Sequence, residues 1–401
     1  MKVKAKKELG QHFLTDESIA RRIVDAALET LTSVPSASAI PPSASIPAAS
    51  VSTAAVSASA SPALLEIGPG TGVLTKYLLA ERDRRPDLDL KLIEIDPEAA
   101  AFLRQTYPSC RKILFEEDFL QADLSKMFQG DFCVVGNFPY NISSQIFFKL
   151  LDFRDCVPAI VGMLQKEVAE RLASKPGKKA YGVLSVLLQA WYDIDYLFEV
   201  GNHCFNPQPK VQSAVIRLRR NPRMELPCDE MLFKKIVKTG FNQRRKTLRN
   251  SLRPLLEALA SGADVTRFNA GDGSRSGYGT STRAAIASRS ALDSQSAIDS
   301  QSVLESQLSD SISLMPPFAS DNATHTPLHP ASDTIPSSPQ NPALGTSPST
   351  PQHSELGTST NTSEHVALDE VLASKTMDLR PEQLSVEDYI ALTNLIARLQ
   401  V

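Results

Sequence analysis

Short apolar runs of strand length alternate with amphipathic runs of helix length from residue 63 to residue 164. The apolar runs predict five strands: Ala63–Ile67, Leu88–Ile95, Lys112–Glu116, Asp131–Gly136 and Ala159–Leu164. The runs between them predict helices: Val73–Arg82, Pro97–Thr106 and Ser143–Leu151. Alternation at this spacing predicts an α/β, Rossmann-like fold, with a mostly parallel sheet and helices on both faces. Ligands of such sheets bind beyond the carboxyl ends of the strands.

Beyond residue 220 the pattern becomes helical. Apolar residues recur at spacings of three and four and predict three helices: Met231–Phe241, Arg244–Leu259 and Val386–Arg398. We therefore expect an α/β domain over residues 1–220 and a small all-helical domain over residues 221–401.

Two segments have the composition of disordered chain. Residues 33–62 contain only Ser, Ala, Pro, Val, Ile and Thr, and residues 261–366 are rich in Ser, Thr, Asp, Gln and Pro. Neither can bury enough apolar surface to offset the chain entropy lost on folding. We expect both to be disordered insertions, one in each domain, that serve as spacers or as tethers for a partner.

Positive charge is concentrated although the chain as a whole is slightly acidic. The net charge is −3 and the pI is about 6.1. Residues 210–253 nevertheless contain thirteen Lys or Arg and three Asp or Glu, and four lysines precede Glu8. A basic run can be a solvated helix face, but two such regions are also what an RNA-binding protein needs.

The cysteines and the apolar runs exclude several other classes. The five cysteines show no CxxC spacing, so we expect reduced thiols in a cytoplasmic protein and no zinc site or other metal. No apolar run reaches the length of about 18 residues that a membrane span requires. We expect a monomer without a membrane partner.

A glycine-rich turn follows the first predicted strand, in the run Glu66-Ile67-Gly68-Pro69-Gly70-Thr71-Gly72. Glycines there let the backbone approach a ligand, and the next helix offers free N–H groups. Such a turn suits either S-adenosylmethionine or NAD. Glu94, at the end of the second strand, can accept from ribose hydroxyls. Asp118, after the third strand, can accept from an adenine amino group.

The run Asn137-Phe138-Pro139-Tyr140 follows the fourth strand and suits an aromatic exocyclic amine. Such an amine is a poor nucleophile because its lone pair is delocalised into the ring. Acceptors from the Asn137 side chain and from the Phe138 or Pro139 carbonyl can hold both N–H groups and favour a pyramidal nitrogen. Pro139 stiffens the turn, and Tyr140 can stack on an extruded base. Together with the glycine turn, this run indicates methyl transfer to a nucleobase.

The chain resembles the small-subunit ribosomal RNA adenine N6,N6-dimethyltransferases of the KsgA type. Outside the two insertions, matching runs extend from Leu9-Gly10-Gln11-His12-Phe13-Leu14 to Arg380-Pro381-Glu382-Gln383-Leu384-Ser385-Val386. Those between them include residues 65–70, 136–143, 163–168, 179–186, 205–213 and 241–252. The family often has Leu where Phe138 stands and Asn where His12 stands. Neither difference removes a needed acceptor.

The resemblance implies a class I methyltransferase fold, S-adenosylmethionine as methyl donor, and a set of site residues. The cofactor residues would be His12, Leu14, Gly68, Glu94, Asp118 and Asn137, with Gly70 in the same turn. Asn137 would orient the target amine, and Tyr140 and Phe205 would sandwich the adenine. The stiff Phe-x-Pro-x-Pro loop is expected to present Phe205 outward.

The resemblance also implies the RNA. The substrate would be two adjacent adenosines in the hairpin loop near the 3′ end of 16S rRNA in the small ribosomal subunit, each methylated twice. Basic residues of the second domain and its approach would contact phosphates, independently of base sequence. The residues expected to do so are Lys210, Arg244, Arg245, Lys246 and Arg249, with the Arg244–Lys246 run on a helix.

Three other functions fit parts of the sequence. A large-subunit rRNA adenine methyltransferase of the macrolide-resistance type would share the fold and the cofactor motifs. A non-catalytic factor in small-subunit assembly would share the basic surface, but the intact Glu94, Asp118 and Asn137 favour catalysis. A NAD-linked oxidoreductase would explain the glycine turn alone.

Overall fold

The computed structural model describes residues 3–33, 61–262 and 368–400. The two predicted insertions therefore lie almost entirely outside the described residues. The described strands are β1 Phe13–Leu14, β2 Ala63–Ile67, β3 Asp89–Ile93, β4 Leu114–Phe115, β5 Cys133–Asn137, β6 Ala159–Gln165, β7 Tyr192–Val200, β8 Phe205–Asn206 and β9 Ser213–Arg220. The helices are α1 Glu17–Ser33, α2 Thr75–Arg84, α3 Pro97–Thr106, α4 Leu124–Met127, α5 Ser143–Asp152, α6 Lys166–Leu172, α7 Val183–Gln189, α8 Glu230–Asn242, α9 Leu248–Ala260 and α10 Val386–Ala397. Residues 368–373 are also helical.

Seven strands form the main sheet in the order β4-β3-β2-β5-β6-β9-β7. The first five are mutually parallel, as the strand–helix alternation predicts. Each predicted strand is present, although most are shorter than predicted because their ends turn toward loops. The predicted α/β fold is confirmed. Strand order reverses on either side of β2, which places a ligand-binding crevice at the carboxyl ends of β2 and β5.

Alternate residues of the central strands pack on opposite faces of the sheet. In β2, Leu65 and Ile67 join an apolar cluster with Phe138 and α5, whereas Leu64 joins a second cluster with α1. All five β2 side chains are buried. Strands buried on both faces read as continuous apolar runs, which is why the sequence marks them so clearly.

The last two strands of the sheet are antiparallel and are absent from the predictions. β9 pairs antiparallel with β6, and β7 pairs antiparallel with β9 at the sheet edge. The β7 sequence carries Asp193, Asp195 and Glu199, and most of its side chains are partly exposed. A half-exposed edge strand has no continuous apolar run, so the criterion that finds the parallel strands does not find it.

Helices α8, α9 and α10 pack together after the sheet. The rings of Phe233 and Phe241 from α8 contact Tyr389 from α10, and Tyr181 contacts Phe241. The predicted start of the second helix at Arg244 is wrong. Residues 243–247 form a turn, and α9 begins at Leu248 because Thr247 has the extended backbone of a helix N-cap. Arg244, Arg245 and Lys246 therefore lie on a turn between two helices.

Candidate active site

A cleft opens at the carboxyl ends of β2, β3, β4 and β5. It encloses about 890 Å³ of space not filled by atoms, part of it open to solvent. The cleft is lined by all but two of the predicted cofactor and catalytic residues: His12, Gly68, Gly70, Glu94, Asp118, Asn137, Pro139 and Tyr140. Sequence motifs some 125 residues apart thus meet in one site.

The glycine turn forms the floor of the cleft. Gly68 and Gly70 have φ angles of 65° and 57°, in the left-handed region that favours glycine. The Gly68 N–H donates to the Ile93 carbonyl at 2.9 Å, which joins the turn to the end of β3. A Cβ on Gly70 would lie 2.9 Å from the Phe13 ring. Gly70 therefore lets the N-terminal segment pack directly on the turn.

Glu94 is buried in the cleft wall with both carboxylate oxygens fixed. Oε2 accepts from the Gly70 N–H at 2.9 Å, and Oε1 accepts from the Asp96 N–H at 2.9 Å. Burial raises the pKa of Glu94, and these backbone donors oppose that rise. Each carboxylate oxygen has a second lone pair. Glu94 is thus a preoriented acceptor for hydroxyl groups. Asp118, at the next strand end, accepts from the Leu120 N–H at 2.9 Å.

Glu66 lies beneath the same turn as a buried carboxyl group outside the cleft. Its side chain accepts from the Thr75 hydroxyl at 2.8 Å, and the residue is 1% exposed. Burial raises its pKa to about 8, and the Glu94 carboxylate adds to the rise. Near neutral pH Glu66 is therefore mostly protonated in the folded protein.

This raised pKa predicts a loss of stability as pH rises from about 5 to 8. In that window the unfolded chain releases the Glu66 proton while the folded chain keeps it, so folding is progressively disfavoured. Glu66→Gln stays neutral and can still accept from Thr75. We expect its melting temperature, relative to wild type, to rise by several degrees from pH 5.5 to pH 8.5. For the exposed control Glu225→Gln, the difference in melting temperature from wild type should not change with pH. The same result for Glu66→Gln would contradict this assignment.

The Asn137 amide is held in a defined orientation. Its Nδ2 donates to the His12 carbonyl at 2.9 Å. The next residue is fixed by the Phe138 N–H, which donates to the Met163 carbonyl at 2.9 Å. Because the amide nitrogen is committed to His12, the side-chain oxygen remains as the acceptor for a ligand in the cleft.

Tyr140 and His12 form one wall of the cleft. Their ring centroids are 5.2 Å apart, and His12 Nδ1 donates to the Pro207 carbonyl at 2.8 Å. The Tyr140 hydroxyl hydrogen-bonds the Ser213 hydroxyl. Burial raises the pKa of Tyr140, so its phenol stays neutral near pH 7. Tyr140 can therefore offer a ring face but not a general base.

Phe138 fills a slot behind the cleft that two glycines leave open. The residue is 1% exposed. A Cβ on Gly162 would lie 2.4 Å from its ring, and a Cβ on Gly136 would lie 2.9 Å from its ring and 2.6 Å from the Ile67 carbonyl oxygen. The phenylalanine at this position thus depends on the absence of side chains from β5 and β6.

We expect Gly162→Ala to destabilise the protein by about 1–3 kcal/mol, the usual cost of overpacking a core. Phe138→Leu removes the ring atoms that the new methyl group would meet. The double variant should therefore be more stable than the sum of the two single changes predicts, by about 1 kcal/mol. Denaturant unfolding of the four proteins gives this coupling. Additive effects would mean that the ring does not limit the space at Gly162.

Two predicted site residues lie outside the cleft. Leu14 and Phe205 pair with each other between β1 and β8 and are 3% and 5% exposed. The expectation that Phe205 points outward is wrong in this structure. The strand pairing turns its ring into the apolar cluster that also contains Val200 and Val215. A role for Phe205 against a bound adenine requires the loop to rearrange.

Lys149 supports the candidate site, although no sequence pattern indicated this role. It lies on α5, and its ammonium donates to the carbonyls of Phe119, at 2.6 Å, and Ala122. Burial lowers its pKa to about 8, while Asp118 and other nearby carboxylates oppose that shift. Lys149 therefore supports the loop that carries Asp118. A lysine in a helix ordinarily indicates a solvated face, so no sequence pattern distinguishes it.

The predicted RNA-contacting residues divide into two groups. The Arg244 guanidinium donates to the Lys179 carbonyl and lies 3.8 Å from Glu382, and Arg249 binds Asp378 at 2.6 Å. Lys210, Arg245 and Lys246 are exposed. The first two arginines join parts of the fold, whereas the last three cations remain available for an anionic partner.

Within residues 3–33, 61–262 and 368–400, no group of three or more His, Cys, Asp and Glu side chains is arranged to hold a metal ion. Over the same ranges, no helix is long and apolar enough to cross a membrane.

Comparison with known proteins identifies the family. The ribosomal RNA adenine dimethylase family model matches residues 2–265. The ribosomal RNA small subunit methyltransferase A of Parabacteroides distasonis is 54% identical over 254 residues, which cover 63% of this chain and 83% of that protein. The protein of the same name from Porphyromonas gingivalis is 53% identical over 64% of this chain and 88% of its own length.

A solved structure supports the fold. A dimethyladenosine transferase from Plasmodium falciparum superposes with a TM-score of 0.55 and 18% identity, covering 97% of this chain and 99% of that one. At this identity the likeness shows the fold alone. The family match covers well over half of the chain and confirms the resemblance drawn from the motifs. The chain belongs to the ribosomal RNA adenine dimethylase family.

Proposed function

We propose that the protein transfers methyl groups from S-adenosylmethionine to the N6 atoms of adenosines in the RNA of the small ribosomal subunit, forming N6,N6-dimethyladenosine. The observation that carries this proposal is the Asn137 amide, which lines the cleft with its nitrogen bonded to the His12 carbonyl at 2.9 Å. This arrangement aims an acceptor, rather than a donor, at an incoming amine. The family membership and the small-subunit enzymes among the relatives support the same reaction.

The residues of the cleft fit the methyl donor. Gly68 and Gly70 keep the floor free of side chains, and Glu94 offers fixed carboxylate oxygens to ribose hydroxyls. Asp118 lies at the neighbouring strand end and also lines the cleft, so its carboxylate would be the acceptor for an adenine amino group. S-adenosylmethionine, when bound, supplies an electrophilic methyl group on a sulfonium that leaves as a neutral thioether.

Asn137 orients the adenine nitrogen that receives the methyl group. Its Oδ1 can accept one N–H of the adenine amine, and a backbone carbonyl of the turn can accept the other. The Pro139 carbonyl already accepts from the Ile142 N–H at 3.3 Å, which favours the Phe138 carbonyl as the second acceptor. Holding both N–H groups makes the lone pair available as the N–C bond forms and the S–C bond breaks.

The methylated nitrogen then carries a positive charge and loses a proton. Asn137 and a backbone carbonyl can stabilise this charge by accepting the N–H groups of the cationic amine, and the proton then leaves to water. Tyr140 stays a neutral phenol and is suited to stack on the extruded adenine. After one transfer the amine keeps one N–H, which the same acceptors can orient for a second methylation.

We also propose the finer assignments that the resemblance implies. The substrate is the pair of adjacent adenosines in the 3′-terminal hairpin loop of 16S rRNA, and the protein acts as a monomer. Lys210, Arg245 and Lys246 contact phosphates, whereas Arg244 and Arg249 shape the surface that presents them.

The test is to incubate the protein with tritiated S-adenosylmethionine and small ribosomal subunits from cells that lack this modification. Digestion of the RNA to nucleosides should release label in N6,N6-dimethyladenosine that maps to the 3′-terminal hairpin. Label confined to large-subunit RNA would move the assignment to the macrolide-resistance type of methyltransferase. No label together with tight subunit binding would indicate an assembly factor without catalysis.

The cofactor is tested separately by thermal unfolding. A ligand that binds only the folded state raises the melting temperature according to its affinity and concentration. S-adenosylhomocysteine should raise it, whereas NAD should leave it unchanged. A rise with NAD alone would favour an oxidoreductase.

A further inference from the structure

Residues 3–12, which we call the arm, are held against the cleft by Asp96. Lys6 Nζ binds Asp96 Oδ1 at 2.6 Å, and Gln11 Nε2 donates to Asp96 Oδ2 at 3.1 Å. The Gln11 side-chain oxygen in turn accepts from the Lys6 N–H at 2.9 Å. Both carboxylate oxygens of Asp96 are thus occupied by arm side chains, and its side chain is fully buried.

Asp96 is firmly placed and directly connected to the cofactor carboxylate. It is the N-cap of α3, where its side chain accepts from the Glu98 N–H at 3.0 Å. Its own N–H donates to Glu94 Oε1 at 2.9 Å. A displacement of Asp96 would therefore also disturb Glu94.

The last residues of the arm also reach Asn137, the residue proposed to receive the target amine. His12, one position after Gln11, offers its carbonyl to Asn137 Nδ2 at 2.9 Å. Asn141 Nδ2 donates to the Glu8 carbonyl at 3.1 Å. A Cβ on Gly10 would lie 2.4 Å from Asn141 Oδ1, so the arm passes this side chain very closely.

These contacts connect the two halves of the site through one short segment. We propose that Lys6 and Gln11, by binding Asp96, act as positioning residues that hold the His12 carbonyl against Asn137 and so direct the Asn137 oxygen at the target amine. The inference rests on the proposed function for its catalytic consequence, but not for the binding of Lys6 and Gln11 to Asp96, which we call the clamp. It implies that cofactor binding beside Glu94 and orientation of Asn137 stabilise each other through the arm.

Removal of the Lys6 ammonium is expected to loosen the arm because it breaks a fixed donor–acceptor pair with Asp96. Without the Lys6 ammonium, Asp96 keeps only Gln11 and the Glu98 N–H, and the arm is held mainly by single hydrogen bonds. In the fraction of molecules with a displaced arm, the Asn137 amide can rotate and present its nitrogen to the substrate. The turnover rate should then fall in proportion to the population with the arm in place.

The test compares Lys6→Met with Lys7→Met. The two substitutions remove the same charge from adjacent positions, but the Lys7 side chain is exposed. With saturating RNA, Lys6→Met should lower kcat about tenfold or more, whereas Lys7→Met should leave it within about twofold. Gln11→Ala should act in the same direction as Lys6→Met. Lys6→Arg, which can still bind a carboxylate, should recover most of the activity.

Hydrogen exchange measures the arm without the RNA. The N–H groups of Leu9, Gly10 and Gln11 donate to carbonyls within the arm. These amides should exchange faster in Lys6→Met than in Lys7→Met, and S-adenosylhomocysteine should slow exchange in the wild type. Equal exchange in the two variants would overturn the clamp. Faster exchange with an unchanged kcat would overturn the link to Asn137.

The clamp and the proposed function can fail independently. If the wild-type protein does not methylate small-subunit RNA, the proposed function fails, but the exchange comparison still tests the clamp. If the wild type is active and Lys6→Met behaves like Lys7→Met in both measurements, the clamp fails and the proposed function stands.

Discussion

Asn137→Ala is expected to abolish methyl transfer while leaving the cofactor site largely intact. The substitution removes the side-chain acceptor for the target amine and the donor to the His12 carbonyl. Loss of one preorganised hydrogen-bonding group in an active site commonly lowers kcat by about 10²–10³-fold. Because the interaction serves the reacting amine, kcat and kcat/KM for RNA should fall together. The rise in melting temperature with S-adenosylhomocysteine should persist, since Gly68, Glu94 and Asp118 remain.

Two further variants make this result interpretable. Asn137→Asp keeps an oxygen acceptor but loses the N–H that fixes its direction, so its activity should lie between wild type and Asn137→Ala. Asn221→Ala removes an amide that donates to the Ala190 carbonyl after β9, at the end of the sheet opposite the cleft. It should leave kcat unchanged. Full activity in Asn137→Ala would remove the amide from the mechanism.

The part of the fold that the sequence predicts well is the part with buried parallel strands. β2 is buried along its whole length and appears as an apolar run that only Glu66 interrupts. The turn after β2 carries glycines at positions with left-handed φ angles, and the run at the end of β5 places Asn137 and Pro139 along the cleft. Residues whose position follows from their own type and their place after a strand, such as Gly68, Glu94 and Asn137, line the cleft together, and their roles toward a ligand stay predictions.

Residues whose role depends on a distant partner were missed or misjudged. Lys149 is identified only by the two carbonyls that surround its ammonium. Phe205 is buried because it pairs with Leu14, nearly two hundred residues earlier. The clamp joins Lys6 to Asp96, ninety residues later in the chain. Sequence periodicity reports local burial, whereas these contacts are set by topology.

The second large effect is expected on RNA binding at the turn between α8 and α9. Arg245 and Lys246 are exposed there. The double variant Arg245→Gln/Lys246→Gln should weaken binding to unmethylated small subunits about tenfold to a hundredfold at moderate salt. The slope of log K against log salt should decrease by about 2, or about 1 for each phosphate that is no longer neutralised. The S-adenosylhomocysteine melting shift should be unaffected.

Other basic residues of the chain supply matched controls. Arg111 and Lys112 are also an adjacent exposed pair, at the amino-terminal end of β4, so Arg111→Gln/Lys112→Gln should change neither affinity nor slope. Arg249→Gln breaks the ion pair with Asp378 and should lower the melting temperature slightly, with a smaller change in slope.

If the Arg111/Lys112 variant lowers the slope as much as the Arg245/Lys246 variant, binding follows total charge rather than this surface. If neither changes it, the phosphates must be bound elsewhere. A decrease confined to Arg245 and Lys246 would place the RNA backbone across the turn, because only phosphates that the protein neutralises release their counterions.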